Sequence, residues 1–402
     1  MTAAAGRSKR SVLVLEQGGR GGVTDYSAAL VEALAADGWE VHLATAVDHV
    51  LAPIPGVRFH LVFRYVRDRS ALGRWLRRSR LSRVVNGLAY VAAVARLVPV
   101  ARRTGLVHNQ GGEFPPLTVV AFAVFRAVGA RIVHTPHNTF ERGRGLRRSR
   151  ALVDRLATRI VLHAQADLAN LAPADRGRAM VVPHGSYTPL ARQAAPVTRA
   201  QARAALGLDP DAAVTLLFGQ LRADKGLGDV LKAALALPTL RVLVAGEELG
   251  ALAAETERLA ALGDRVTVRA GFQSMDDTGL LFAATDTVVL PYRLASMSGV
   301  LLLAYGFARP VIVYPAGGLP EAVVDGETGW ICAAADPAAL TVVLGEAARG
   351  GWAECERRGR AGARLAEERF SWPAIARQTA AVYAQASGRP APEAARADEV
   401  AA

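Results

Sequence analysis

Short β-branched runs alternate with longer helical patterns along this chain, and the alternation occurs twice. In the front half, SVLVLE, WEVHLAT, VRFHLVF, GLVHN, ARIVHT and RAMVVP read as strands, with helical patterns between most of them. The back half restarts with AVTLLFG, LRVLVAG, RVTVRAG, DTVVLPY and PVIVYP. Parallel strands need a crossover between them, and a helix supplies it, so this order predicts α/β sheets covered on both faces. Two such series predict two doubly wound domains. The length of 402 residues agrees, since one core rarely grows past about 250–300 residues. The seam is expected in YTPLARQAAPVTRAQARAALGLDPDA, which is polar and carries prolines. The expected bounds are 1–190, 191–370, a final helix over 371–387 and a tail over 388–402. The composition of that tail, GRPAPEAARADEVAA, predicts disorder. In open parallel sheets ligands bind at the carboxyl ends of strands, so chemistry is sought in the loops that follow them.

Cys332 and Cys355 are the only cysteines, which gives neither a disulfide framework nor zinc spacing and suits a reducing, cytoplasmic setting. The start, MTAAAGRSKRSVLVLEQ, lacks the apolar core of a signal peptide. The richest apolar stretch, VVNGLAYVAAVARLVPVARR, is interrupted by Arg96 and Pro99 and reads as a buried helix rather than a membrane span. The net charge of +12 is uneven, +17 over residues 1–200 and −5 over the rest. Eight arginines between 64 and 83 interleave with Leu72, Trp75, Leu76 and Leu81, and a second cluster is ERGRGLRRSR. A solvated basic face is the plain reading. Basic residues with leucine and tryptophan anchors favour docking on an anionic membrane surface, at the inner face of the cell membrane. No nucleic-acid recognition module accompanies the charge.

The loop LEQGGRGGVTDY holds Gly18, Gly19, Gly21 and Gly22 between a strand and a helix. A dinucleotide fingerprint would put glycine at position 24, where Thr24 stands, and an acid at the tip of the second strand, which ends VHLATA. No Gly-Lys-Ser/Thr ending supports a Walker loop. A wide loop whose amides face a ligand remains, because four glycines carry an entropic cost that a plain turn avoids. In the back half, Arg222 and Lys225 lie three apart after AVTLLFG, with Gly226 opening a helix. Two cations beside a helix start suit a diphosphate. In DTVVLPYRLASMSGVLLLAYGFARPVIVYP, a helix starts at SGV, and the amides of Ser298, Gly299 and Val300 are free to meet phosphate oxygens. GGLPEAV is expected to open one more helix.

Taken in order, these pieces resemble a retaining glycosyltransferase of family 4 with the GT-B fold. The resemblance rests on the glycine loop, VHN, VHTPHN, VVPHG, FGQLRADKG, DTVVLPY, SGVLLLAYGFARPVI, GGLPEAVVDGETGW and FSWPAIARQTAAVYAQA, and spans nearly the whole chain. It implies two Rossmann-like domains facing across a cleft, with an acceptor in the front one and a nucleoside-diphosphate sugar in the back one. It implies a last helix that crosses back to brace the front domain. One departure stands out. The family's glutamate pair falls on Ala295 and Leu303 in one register and on Ser296 and Ala304 in the other. Glu321 matches the family's Gly-Gly-x-Pro-Glu turn, which helps to close the donor pocket.

His108, His134 and His137 stand at the ends of two front-domain strands, followed by Asn138. His137 matches the family position near the reacting face of the sugar, and His108, His134 and Asn138 are candidates for the acceptor side. The resemblance implies transfer of a sugar to an acceptor hydroxyl, a lipid-linked glycan intermediate in envelope or exopolysaccharide synthesis, by front-face attack with retention. The leaving diphosphate would take the acceptor's proton, while Arg222, Lys225 and the Ser298–Val300 tip stabilise its charge. The donor is a substrate; no cofactor and no metal are expected to be required. A catalytically silent sugar-nucleotide binder and a GT-B nucleotide-sugar epimerase are the rival expectations, the first motivated by the missing glutamates.

Overall fold

The computed structural model describes residues 10–65, 81–111, 114–139 and 146–388. The expected disordered tail, apart from its first residue, and arginines 67–80 of the basic segment lie outside the described residues. Two compact units emerge. One is drawn from Met1–His163, Asp167–Pro183 and Trp372–Ala402, the other from Ala164–Ala166 and His184–Ser371. Only helices longer than four residues are labelled below.

The first unit runs β1 (Ser11–Glu16), α1 (Gly22–Ala36), β2 (Glu40–Ala46), β3 (Val57–Phe63), α2 (Leu81–Thr104), β4 (Leu106–Gln110), α3 (Pro115–Ala127), β5 (Arg131–Thr135), α4 (Arg147–Leu156), β6 (Arg159–Leu162) and β7 (Ala179–Val181). Its seven strands are all parallel, in the order β3-β2-β1-β4-β5-β6-β7. Strand β6 was not anticipated. It is four residues long and follows α4 after two residues, so ALVDRLATRIVLH reads as one helix. Alternation along β1 sorts the core. Val12 and Val14 face Tyr26 and Leu30 of α1, while Leu13 and Leu15 face Tyr90 of α2 and Phe122 of α3.

Helix α2 corrects one expectation. It is not buried all round. Tyr90, Ala93, Val94, Leu97 and Ala101 pack into the sheet core at helical spacing. On the other side Val84, Val85, Leu88 and Val91 are exposed, Leu88 to 66% and Val84 to 61%. Among the described residues, Ser82–Thr104 is the one helix long and apolar enough to cross a membrane, by length and composition alone.

The second unit runs α5 (Arg199–Ala205), β8 (Ala213–Phe218), α6 (Leu227–Ala236), β9 (Leu240–Gly246), α7 (Thr256–Leu262), β10 (Val266–Ala270), α8 (Met275–Ala284), β11 (Thr287–Leu290), α9 (Gly299–Gly306), β12 (Val311–Val313), β13 (Gly329–Ile331) and α10 (Pro337–Arg369). Its six parallel strands follow the order β10-β9-β8-β11-β12-β13. The three-residue β13 is too short to show a period. GGLPEAV forms a single 3₁₀ turn, Pro320–Ala322, not the expected helix. Asp336 caps α10 by accepting from the amide of Ala339 at 2.8 Å, with Pro337 in the first turn. The last helix, α11 (Trp372–Ser387), belongs to the first unit, where Ile375, Ala376 and Tyr383 join Val12, Tyr26 and Val133 in one core.

Candidate functional site

Two loops and a helix start meet at the carboxyl ends of the strands in the second unit. The loop after β8 carries Arg222 and Lys225, the loop after β11 carries Tyr292, and α9 begins beside them. Gly226 has φ 74, and a Cβ there would lie 2.3 Å from the Pro291 carbonyl oxygen, so only glycine lets these two loops close. The Lys225 ammonium sits 3.6 Å from the centre of the Tyr292 ring, a cation–π contact. Burial raises the Tyr292 hydroxyl to about 12, so the ring stays neutral.

Arg222 is not a bare cation. Its Nε and Nη2 donate to Asp224 at 2.9 Å each, and Nη1 donates to Gln220 Oε1 at 3.0 Å. The paired hydrogen bonds to Asp224 push the Arg222 pKa up and the Asp224 pKa down. The sequence reading passed over Asp224, although it lies between the two cations; a carboxylate two residues from an arginine was the available signal. Its effect is to fix the plane of the guanidinium. Ser298 caps α9 by accepting from Leu301 N at 3.4 Å, leaving the first-turn amides of Gly299 and Val300 without a carbonyl inside the helix. Val300 lies against Gly219 and Gly299 against the ring of Tyr187, which seats the helix tip beside the β8 loop.

The positions of the absent glutamates, Ala295, Ser296, Leu303 and Ala304, are all buried. The Ala295 and Ser296 carbonyls pack tightly on Gly317 and Gly318. Beyond that contact, Glu321 is committed to the backbone: its carboxylate accepts from the amides of Gln165 and Ala166, both at 2.8 Å. Phe272, 94% exposed, stands in the loop after β10. The Asp-x-Asp spacing Asp209-Pro210-Asp211 precedes β8, at the opposite end of that strand, where Asp209 Oδ1 accepts from the Asp211 amide.

In the first unit, Gly18 and Gly19 do not offer the amides expected of them. Buried Glu16, at the end of β1, accepts from Gly18 N at 2.8 Å and from Gly19 N at 2.9 Å. It also accepts from Thr24 Oγ1 and Thr45 Oγ1, at 2.9 and 2.7 Å. Four groups thus turn inward onto one carboxylate, and the loop is folded around an internal anion. Gly21 has φ 84 and its carbonyl starts α1; Gly22 is the first residue of that helix.

The histidines separate by strand alternation. His108, Gln110 and Thr135 lie on the α1/α11 side of the sheet, and His134 and Asn109 on the α2/α3 side. His108 Nδ1 meets Tyr383 Oη at 2.6 Å and its Nε2 meets Thr135 Oγ1 at 2.8 Å. His134 packs edge-on to Phe122 and pairs with Asn109 at 3.2 Å. Both are buried, so neither presents its ring to an acceptor. His137 is only partly buried and holds Gln110 Oε1 at 2.8 Å from its Nε2, in a left-handed backbone with φ 51. Asn138 accepts from Arg150 through its carbonyl at 2.9 Å.

Burial holds His108 near 3 and His134 near 4, so both are neutral in the folded protein at pH 7. The unfolded chain protonates them near 6.5. The stabilisation is therefore complete above about pH 6.5 and is lost as pH falls toward 4, by about 2 kcal/mol per histidine between pH 7 and 5. The urea midpoint is expected to drop on acidification over that range, and less so in His134→Gln. Equal slopes would refute this assignment.

Two doubly wound sheets of these orders define the GT-B fold, and solved structures agree. The chain matches Anabaena Alr3699/HepE in complex with UDP at a TM-score of 0.71 and 19% identity, over 93% of this chain and 100% of the other. It matches the catalytic domain of starch synthase IV from Arabidopsis thaliana, bound to ADP and acarbose, at 0.72 and 14%, over 95% and 100%. More particularly, residues 212–348 match the family model Glycosyl transferases group 1. Curated relatives are named D-inositol 3-phosphate glycosyltransferase. The one from Mycobacterium sp. (strain KMS) is 38% identical over 185 residues, 44% of this chain and 40% of the relative. The one from Mycolicibacterium gilvum (strain PYR-GCK) is 35% identical over 193 residues, 46% of this chain and 42% of the relative. The chain thus spans about two fifths of the length of these relatives.

Proposed function

We propose that the protein is a retaining glycosyltransferase that moves a sugar from a nucleoside-diphosphate donor to an acceptor hydroxyl, without a required metal. The observation that carries this reading is the grouping of Arg222, Lys225, Tyr292 and the Ser298–Val300 tip at strand ends, inside the stretch matched by the group 1 family model. As the glycosidic bond breaks, charge gathers on the departing diphosphate. Two cations and two free helix amides are placed to stabilise it more than they stabilise the ground state, and that difference is what accelerates the step. His137 orients the sugar. The acceptor proton passes to the leaving phosphate on the same face, which gives retention. The test is a thermal-shift screen of UDP-glucose, UDP-N-acetylglucosamine, GDP-mannose and ADP-glucose, followed by turnover with acceptors. Binding without turnover on any acceptor would favour the silent binder, the reading that the absent glutamates support. Conversion of the sugar with no acceptor would favour the epimerase.

The acceptor we propose is a lipid-linked glycan intermediate at the inner face of the cell membrane. Support comes from α2, whose exposed Val84, Val85, Leu88 and Val91 follow directly on the arginine-rich segment. An apolar stripe beside clustered positive charge fits the boundary of an anionic bilayer. The protein is expected to sediment with vesicles containing anionic lipid at low salt, and Leu88→Glu to reduce the bound fraction. Equal recovery with neutral and anionic vesicles would reject this.

A further inference from the structure

At the amino ends of four neighbouring strands, the first unit holds a cavity of about 160 Å³. Trp39 stands just before β2, Ser11 opens β1, Leu106 opens β4 and Arg131 opens β5. Helix α11 completes the wall with Ala380, Tyr383 and Ala384, and the two alanines end at Cβ, which leaves the space. The glycine loop and His137 follow the carboxyl ends of β1 and β5, so the cavity lies at the other end of the sheet. Every residue that lines it belongs to the first unit. Its inner surface is apolar and aromatic: the rings of Trp39 and Tyr383 meet edge-on at 5.1 Å, and Leu106 is buried beside them. The indole N–H of Trp39 is buried and finds no acceptor among the described residues. A donor buried in this way costs free energy until an oxygen reaches it. The rim is positive. Arg131 is exposed, and its guanidinium makes no hydrogen bond or ion pair among the described residues. Arg10 has one long ion pair, 4.0 Å to Asp37, between well-exposed side chains. No Asp or Glu is among the described residues that line the cavity.

We propose that this cavity is a second binding site, for a small organic acid with an apolar body. The volume is close to the roughly 150 Å³ that takes a benzene ring. The body packs on Trp39, Tyr383 and Leu106, and the carboxylate meets Arg131 and Arg10 at the rim. A guanidinium presents paired N–H groups to a planar carboxylate, which fixes its orientation as well as its charge. Arg10 already shares its charge with Asp37, so one negative charge is matched better than the two of a phosphate monoester. The Trp39 indole donates to an oxygen of the ligand. The proposal does not depend on the reading of the second unit as a donor site.

The probes are benzoate, hexanoate and, as an uncharged control, benzyl alcohol, titrated into the full chain at neutral pH. Both acids are expected to bind at millimolar concentration or below, and benzoate at least about tenfold more tightly than benzyl alcohol, which lacks the charge-assisted hydrogen bonds. Labelling with ¹⁵N-tryptophan gives one indole signal for each of the five tryptophans, and a Trp39→Phe spectrum identifies that of Trp39. Benzoate is expected to shift that signal. Arg131→Gln, on the exposed rim, is expected to weaken benzoate binding about tenfold. Ala384→Leu fills the cavity and is expected to abolish binding; should it fail to fold, Arg131→Gln and the Trp39 signal decide. The double variant Arg222→Ala with Lys225→Ala is expected to bind benzoate as the unaltered chain does, which separates this cavity from the candidate donor site. No binding of either acid at millimolar concentration, equal affinity for benzyl alcohol, an unmoved Trp39 signal, unchanged affinity in Arg131→Gln, or loss of binding in the Arg222 and Lys225 double variant overturns the proposal.

Discussion

Replacing Arg222 and Lys225 together by alanine is expected to abolish the thermal shift produced by the preferred nucleoside-diphosphate sugar and to weaken its binding at least about 100-fold. Hydrogen bonds to charged groups contribute roughly 1.5–3 kcal/mol each, so two cations account for about 3–6 kcal/mol, and each 1.4 kcal/mol is about tenfold. The two side chains differ in a way that calorimetry can read. Lys225→Ala removes one cation and leaves the Arg222–Asp224 pair standing. Arg222→Ala also removes the two hydrogen bonds that Asp224 receives from the guanidinium and leaves its negative charge less compensated near the incoming diphosphate, so the single change at 222 is expected to be the worse of the two. Adding Asp224→Ala to Arg222→Ala should recover part of the loss. Full affinity in the double variant, or a donor bound away from these residues in a crystal of the complex, would defeat the proposed site. Both side chains lie on a surface loop, so the melting temperature without donor is expected to change little.

The largest expected loss of stability lies elsewhere in the second unit, at Asp286. Its carboxylate accepts from Arg203 Nη2 at 2.9 and 2.8 Å, from Arg199 Nη2 at 3.1 Å and from the amide of Val214 at 2.8 Å. Arg203, 1% exposed, also donates to the carbonyls of Ala284, Asp209, Pro210 and Ala212. One carboxylate thus ties α5 to β8 and to the segment entering β11. Asp286→Ala leaves a buried guanidinium without its counter-ion and is expected to cost about 3–5 kcal/mol, read as a lower urea midpoint by circular dichroism. Replacing both partners by apolar residues, Asp286→Leu with Arg203→Met, is expected to cost less than the single change, because it removes the stranded charge as well. A loss below about 1 kcal/mol in Asp286→Ala would show that water reaches the pair.

Much of the architecture was legible because it follows from local period. Runs such as SVLVLE and LRVLVAG are apolar on both faces, as strands covered by helices must be, and the helical patterns between them supply crossovers. What escaped was short or interrupted. Strand β6 merges with α4 by pattern, and β13 has too few residues to show one. Helix α2 reads as buried because composition reports how apolar a helix is, not how much of its face finds a partner.

Within the candidate sites the division is sharper. Residue types and spacing placed Arg222, Lys225 and Ser298–Val300 at strand ends from sequence alone, and placed the histidines there too. They did not show that Gly18 and Gly19 spend their amides on Glu16, that Asp224 orients Arg222, or that His134 faces Phe122 while His108 reaches Tyr383. These are pairings between groups whose separation in the chain runs from two residues to 275. The chain itself determined the two α/β series, their helix starts and the chemical groups delivered to the strand ends, because those depend on neighbours a few residues apart. Only packing decided which of those groups are already satisfied and which remain for a ligand, because a hydrogen bond forms where two surfaces meet, and no period in the sequence records that meeting.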